Sequence, residues 1–272
     1  MRVATWNVNS VGARLPRLLP WLEETAPDVV ALQETKCADA AFPHAQVEAL
    51  GYEVAHNGDG RWNGSALLSR VGLDDVALAF PGQPAWAPPA EEGVLLPPEP
   101  VVEARAVGAT CGGVRFWSLY VPNGRALDSP HYSYKLAWLA GLREALAPEV
   151  AAGPVVVMGD FNIAPADEDV WDVRSFVGST HVTPEERRAL AALQDLGLVD
   201  VRARPGKGDR AYTYWDYRAG MFHKDLGMRI DLVLASPSLA VTDAWVDREA
   251  RKGKGPSDHA PVVVDLVQES GL

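Results

Sequence analysis

Cysteine is nearly absent: Cys37 and Cys111 are the two thiols in 272 residues. Two are too few for a disulfide framework or a cysteine-rich zinc cluster, so reduced, structural thiols are expected. Long apolar runs are missing as well. The longest, such as "PVVVMG" at 154–159, are strand-sized and exclude a membrane-spanning helix. The opening residues "MRVATWNVNS" lack a basic region, an apolar stretch and a small-residue cleavage site, so no secretory leader is read and a cytoplasmic location is expected. Positive charge is in deficit, with 25 Lys and Arg against 36 Asp and Glu and a formal net charge of −11. Taken whole, that balance disfavours a polyanionic partner. Acidic side chains gathered round a divalent cation would reverse the argument locally, because the cation creates a phosphate site. One basic stretch, "DREARKGKGPSDH", carries Arg248, Arg251, Lys252 and Lys254, and it reads equally well as a solvated loop.

With 47% hydrophobic and 22% charged residues, the chain can bury a sizeable core, and one domain over 1–272 is expected. Short β-branched runs alternate with helical patterns, the signature of an α/β fold. Strands are expected at 2–7, 28–33, 64–69, 101–109, 114–121, 154–159, 230–235 and 260–266. Helices are expected at 13–25, 39–50, 131–147 and 184–195, the last opened by a Thr183 cap with Pro184 in its first turn. The proline-rich stretch 80–100 reads as a surface excursion. Two units share one plan of strand, Asn-bearing loop, helix, strand and carboxylate: "RVATWNVNS" to "DVVALQETK", and "VRFWSLYVPNG" to "PVVVMGDFN". A βαβ crossover makes its two strands parallel and opens both ends on one edge of the sheet, where α/β sheets place ligands. Asn7 would then meet Glu34, and Asn123 would meet Asp160.

Glu34 follows an apolar run that should be buried, so it reads as a cation ligand or as a loop carboxylate. Asp160 and Asn162 leave a buried strand two residues apart and point the same way if the chain stays extended. Asp231 interrupts the apolar strand "RIDLVLAS" and needs a partner there, His259 or a cation. The stretch "GPSDHAPVVVDL" sets Ser257, Asp258 and His259 side by side, yet Ser257 has no Gly-x-Ser-x-Gly elbow, which argues against a hydrolase triad. Asn7, Glu34, Asp160, Asn162, Asp231 and Asp258 offer hard oxygens and His259 one imidazole. That set suits Mg²⁺ or Mn²⁺ better than zinc and points to phosphoester hydrolysis.

Together "TWNVNS", "LQETK", "YVPNG", "GDFNIAP", "YWDYR", "GMRIDLVLAS" and "GPSDHAPVVVDL" resemble the exonuclease III family of DNA repair nucleases, in the endonuclease/exonuclease/phosphatase superfamily. The resemblance runs from residue 5 to residue 266. It implies a four-layered α/β sandwich, two face-to-face mixed β-sheets flanked by helices. It also implies Mg²⁺-dependent phosphodiester hydrolysis, with Mn²⁺ able to substitute. The substrate would be double-stranded DNA carrying abasic sites or blocked 3′ ends, attacked by 3′-to-5′ exonuclease action, incision 5′ to abasic sites and 3′-end cleaning; a monomer is expected. Carried over by residue, the resemblance makes Glu34 the main metal ligand with Asn7 beside it, and gives Asp160 the attacking water. Asn162 would hold the phosphate, and Tyr120 would contact it or assist the leaving oxygen. Asp231 would orient a protonated His259 on the scissile phosphate, with Asp258 near the metal. Asn9, Asn123 and Trp215 would contact DNA. The acid for the leaving 3′-oxygen stays open among Tyr120, Asp160 and a water on the cation. A phosphoinositide phosphatase or a sphingomyelin-cleaving enzyme would share the metal core, but "YWDYR" and "GSTHVTPEE" resemble the DNA-cleaving branch.

Overall fold

The computed structural model describes residues 1–87 and 99–268; the central part of the proline-rich excursion, 88–98, lies outside them. The first half of the chain runs β1 (Arg2–Asn7), α1 (Val11–Thr25), β2 (Val29–Gln33), α2 (His44–Glu48), β3 (Glu53–Asn57), β4 (Ser65–Ser69), β5 (Asp74–Ala77), β6 (Ala106–Cys111) and β7 (Val114–Tyr120). There follow α3 (Pro130–Ala152), β8 (Val155–Asp160), α4 (Pro184–Gln194), β9 (Val199–Asp200), α5 (Met221–Lys224), β10 (Asp231–Ala235), β11 (Leu239–Val246) and β12 (Val262–Gln268). The strands form two six-stranded mixed sheets, ordered β11-β12-β1-β2-β4-β3 and β5-β6-β7-β8-β10-β9. Both expected crossovers are present, since β1 pairs parallel with β2 and β7 parallel with β8.

Alternation along the strands builds the layers. In β8, Val156 and Met158 join Val3, Val29 and Val264 of the other sheet in the central core. Val155 and Val157 face the opposite way, onto Trp138, Leu142 and Leu146 of α3 and Leu190 of α4. On the far side, Leu18, Trp21 and Leu22 of α1 cover Trp6, Leu32 and Leu68. The result is a helix, sheet, sheet, helix sandwich. Both faces of the inner strands are covered, which is why they read as unbroken apolar runs.

Several boundaries differ from the sequence reading. The helix expected over 39–50 is split into a 3-10 turn at Asp39–Ala41 and α2, because Pro43 at the break supplies no backbone N–H. Helix α3 instead runs through Pro148 to Ala152, five residues past its expected end. The strand expected at 101–109 begins only at Ala106, while Val101 pairs with Trp86 at the base of the excursion. Four strands were not expected: β3, β5, β9 and β11. In β11 a register shift between Val241 and Asp243 breaks the alternation that would have marked it. Among the described residues no helix is long and apolar enough to cross a membrane.

Candidate active site

Strand ends from both sheets converge at one end of the sandwich. Tyr120, Asp160 and Asp231 stand in one row, because Tyr120 pairs with Asp160 and Asp160 with Asp231 across adjacent strands. Asn7 closes β1 in the opposite sheet, and its fully buried Nδ2 donates both to Glu34 Oε1 (2.9 Å) and to Asp160 Oδ2 (2.9 Å). One amide thus ties two carboxylates from two sheets. Glu34 sits just past β2 at φ 52°, a left-handed conformation that side chains adopt only where the surroundings hold them. Gly159 permits the approach beside it: φ is 154°, and a Cβ there would lie 1.9 Å from Leu119 O.

His259 completes the cluster. Its Nδ1 lies 2.8 Å from Asp231 Oδ2, and its Nε2 lies 3.9 Å from Asp160 Oδ2. Burial works against the charged imidazole, but the carboxylates of Asp231, Asp160 and Asp258 outweigh it and push the pKa up to about 10. Burial, with the neighbouring Asp231 and Glu34 charges, pushes Asp160 up to about 7 against the pull of His259 and the Asn162 N–H. Glu34 goes the other way: burial would raise it, yet the Lys36 ammonium at 2.6 Å and the Asn7 amide hold it below the usual range. Tyr120 is raised well above its ordinary value by burial and the Glu34 charge, so it keeps its proton and can donate.

The other flank is built of amides. Asn162 Oδ1 accepts from Asn123 Nδ2 (3.0 Å) and lies 3.2 Å from His181 Nε2, while Asn162 Nδ2 donates to Val121 O (3.0 Å). The amide oxygen is therefore committed, and the second amide N–H is free of these three contacts. Burial first, and the Lys135 charge second, push His181 down to about 4, leaving a neutral ring at physiological pH.

Of the residues singled out from sequence, Asn7, Glu34, Asp160, Asp231 and His259 meet in one cluster, with Asn162, Asn123 and Tyr120 on its edge. Glu34, Asp160 and His259 each offer a ligand atom within 4.8 Å of the other two, a spacing and donor set that fit a divalent cation. Asp258 and Asn9 form an outer pair, Asn9 Nδ2 donating to Asp258 Oδ1 at 3.0 Å and Lys36 Nζ to Asn9 Oδ1 at 2.6 Å. Ser257 is buried, donates to Asn7 O at 2.7 Å and shapes the turn.

Trp215 corrects the sequence reading. It is 1% exposed, packed against Phe222 and Arg248, and its Nε1 donates to Asp225 Oδ1, so no face is free for a nucleic acid. Its neighbour Tyr214, partly exposed, reaches the site instead, with its ring 4.9 Å from that of His259. "YWDYR" signals that an aromatic belongs here, but which one faces the cleft is set by the isolated bridges of Tyr214 to Met228 and His259. The two arginines of the basic stretch are spent internally, Arg248 Nη2 donating to Phe222 O and Arg251 stacking over Tyr217 and Phe222, while Lys252 and Lys254 are exposed. His181, not singled out in the sequence, also reaches the amide flank; its place depends on a φ of 81° that no local pattern announces.

Residues 4–259 match the model of the endonuclease/exonuclease/phosphatase family. Exodeoxyribonuclease III of Haemophilus influenzae is 31% identical, the match covering 96% of this chain and 98% of that protein. The solved structure of the 3′ phosphatase NExo from Neisseria, bound to a product DNA hairpin, superposes with a TM-score of 0.88 at 37% identity, over 98% of this chain and 99% of that one. An AP endonuclease from Archaeoglobus fulgidus gives 0.86 at 34% identity, over the same shares. With the strand-end carboxylates and the Asp231–His259 pair, these likenesses identify the chain as a member of the exonuclease III / AP endonuclease family within the endonuclease/exonuclease/phosphatase superfamily, a phosphodiesterase of the exodeoxyribonuclease III type.

Proposed function

We propose that this protein is a Mg²⁺-dependent DNA repair nuclease that acts as a monomer on double-stranded DNA. It trims 3′ ends exonucleolytically, incises 5′ to abasic sites and removes blocked 3′ groups. The observation that carries the proposal is the cluster in which Glu34, Asp160 and His259 come within 4.8 Å of one another, with Asp231 behind the histidine and Asn162 beside it. The relatives named exodeoxyribonuclease III, 3′ phosphatase and AP endonuclease supply the three activities by analogy.

Glu34 and Asp160, with Asn7 beside them, would hold the cation, which offsets the negative charge that builds on the phosphate oxygens. His259 has two mutually exclusive roles, cation ligand when neutral and phosphate donor when protonated. A pKa near 10 favours the second, with Asp231 fixing Nδ1 and turning Nε2–H outward. Asn162, its oxygen held by Asn123 and His181, presents its remaining N–H as another donor to the same charge. Asp160, fixed by the Asn7 amide and the Asn162 N–H, would orient the attacking water and take its proton. Tyr120, protonated, stands ready as a donor to the phosphate or the leaving oxygen.

The test is a duplex with one abasic-site analogue, incubated with Mg²⁺ or with chelator, beside a duplex ending in a 3′-phosphate. Incision 5′ to the analogue and release of phosphate, both abolished by chelator, are expected. Folded protein that cuts neither duplex in Mg²⁺ overturns the reading.

A further inference from the structure

Behind the amide flank the fold buries an ion pair that the mechanism above does not use. Lys135 of α3 and Glu186 of α4 are joined with both side chains 0% exposed. Lys135 Nζ also donates to Asn162 O at 2.7 Å and reaches Asn123 O at 3.3 Å. Glu186 Oε1 accepts from His181 N at 3.0 Å and from Thr180 Oγ1, while Oε2 accepts from Thr183 N at 3.1 Å. One cation and one carboxylate therefore hold the backbone of three segments: the loop after β7, the turn after β8 and the approach to α4. The side chains on those segments are Asn123, Asn162 and His181, the three that meet at Asn162 Oδ1.

Two features argue that this is more than packing. A fully buried pair gains little net stability over apolar residues of similar volume, since its attraction is offset by desolvation. Apolar residues could fill the space, but they could not satisfy the Asn162 carbonyl or the His181 and Thr183 N–H groups, and they would leave the Asn123 carbonyl to the Thr180 hydroxyl. The held segments are also conformationally expensive, with Asn162 at φ 50° and His181 at φ 81°. Gly124 presses on the same network, because a Cβ there would lie 2.8 Å from Thr180 Oγ1 and 3.3 Å from Lys135 Cδ.

We infer that Lys135 and Glu186 are positioning residues, which set the amide flank against Asp160 and His259 and act on turnover rather than on substrate affinity. The inference rests on the nuclease reading of the site. It is tested with the double variant Lys135→Met/Glu186→Leu, which restores an apolar pair, beside Glu186→Gln alone. Glu186→Gln is expected to lower Tm, because it leaves a buried ammonium without its counter-charge. The double variant is expected to recover only part of the Tm lost in Glu186→Gln, because the Asn162 carbonyl and the His181 and Thr183 N–H groups still lack their partners. It is expected to bind product DNA within about threefold of wild type, yet to lose at least about tenfold in kcat, as displaced reacting groups do. A double variant with wild-type kcat makes the pair purely structural and overturns the inference. Side-chain amide NMR signals of Asn123 and Asn162 give a second readout independent of cleavage. If the wild-type protein cuts no DNA, the nuclease reading falls, and these signals alone decide: displaced in the double variant they support positioning, unchanged they overturn it.

Discussion

Asp160 is 2% exposed, receives the Asn162 N–H at 2.9 Å and the Asn7 amide at 2.9 Å, and lies 3.9 Å from the His259 ring. Its raised pKa has a defined sign in stability. The folded form keeps the proton up to about pH 7, whereas an unfolded aspartate releases it near pH 4, so the carboxylate costs stability increasingly as pH rises between those values. Asp160→Asn should therefore hold or raise Tm at pH 8 in the absence of divalent cation while abolishing cleavage and sparing DNA binding. A lowered Tm with near-normal turnover would remove Asp160 from the base role. His259 has the opposite sign. Its folded pKa, near 10, exceeds the unfolded value of about 6.5, so the stabilisation is complete below about pH 6.5 and is lost as pH rises toward 10. Asp231→Asn should flatten Tm between pH 7 and 10 and move the alkaline limb of kcat/KM to lower pH. An unshifted limb would assign that ionisation elsewhere.

Strand ends and turns decide whether these side chains meet. Arg229, two residues before Asp231, is buried and donates to Asp169 (2.7 and 3.2 Å) and to Asp200 (2.9 and 2.8 Å), which anchors the start of β10. Arg229→Ala would leave Asp169 and Asp200 with the half-exposed Arg202 as their remaining cationic partner and should cost about 3 kcal/mol of stability, the low end for breaking a buried pair, read by urea denaturation. A loss below about 1 kcal/mol would show that water replaces the arginine. At this scale the sequence was readable where burial leaves a mark. Val155–Asp160 reads as a buried strand ending in an acid, and the two parallel crossovers follow from it. The edge strands β3, β5 and β11 were not readable, because each is half-exposed and too short or bulged to show a period of two. Site residues on strands were found by type and spacing. His181 and Tyr214 were missed because their directions are set by a positive φ and by neighbours distant in sequence.

For the molecule as a whole, the cation would act as a fastener between sheets. Glu34 follows a strand of one sheet and Asp160 ends a strand of the other, so a cation held by both would stabilise the folded form by binding it alone. At a hundred times its dissociation constant, such a ligand adds about 2.7 kcal/mol. Mg²⁺ should raise the wild-type Tm, and Glu34→Gln should remove most of that rise without unfolding the protein. An equal rise in both would move the cation away from Glu34.

The first strand is paired on both sides, with β2 following it closely and β12 arriving last, and Met1 N donates to Leu266 O at 2.8 Å. A chain emerging from the ribosome therefore presents Asn7 and Glu34 more than 200 residues before His259 and the outer support of β1. A chain that stops before residue 259 carries the acidic half of the centre without the imidazole, so the two halves of the proposed site are joined by contacts between the most distant parts of the sandwich.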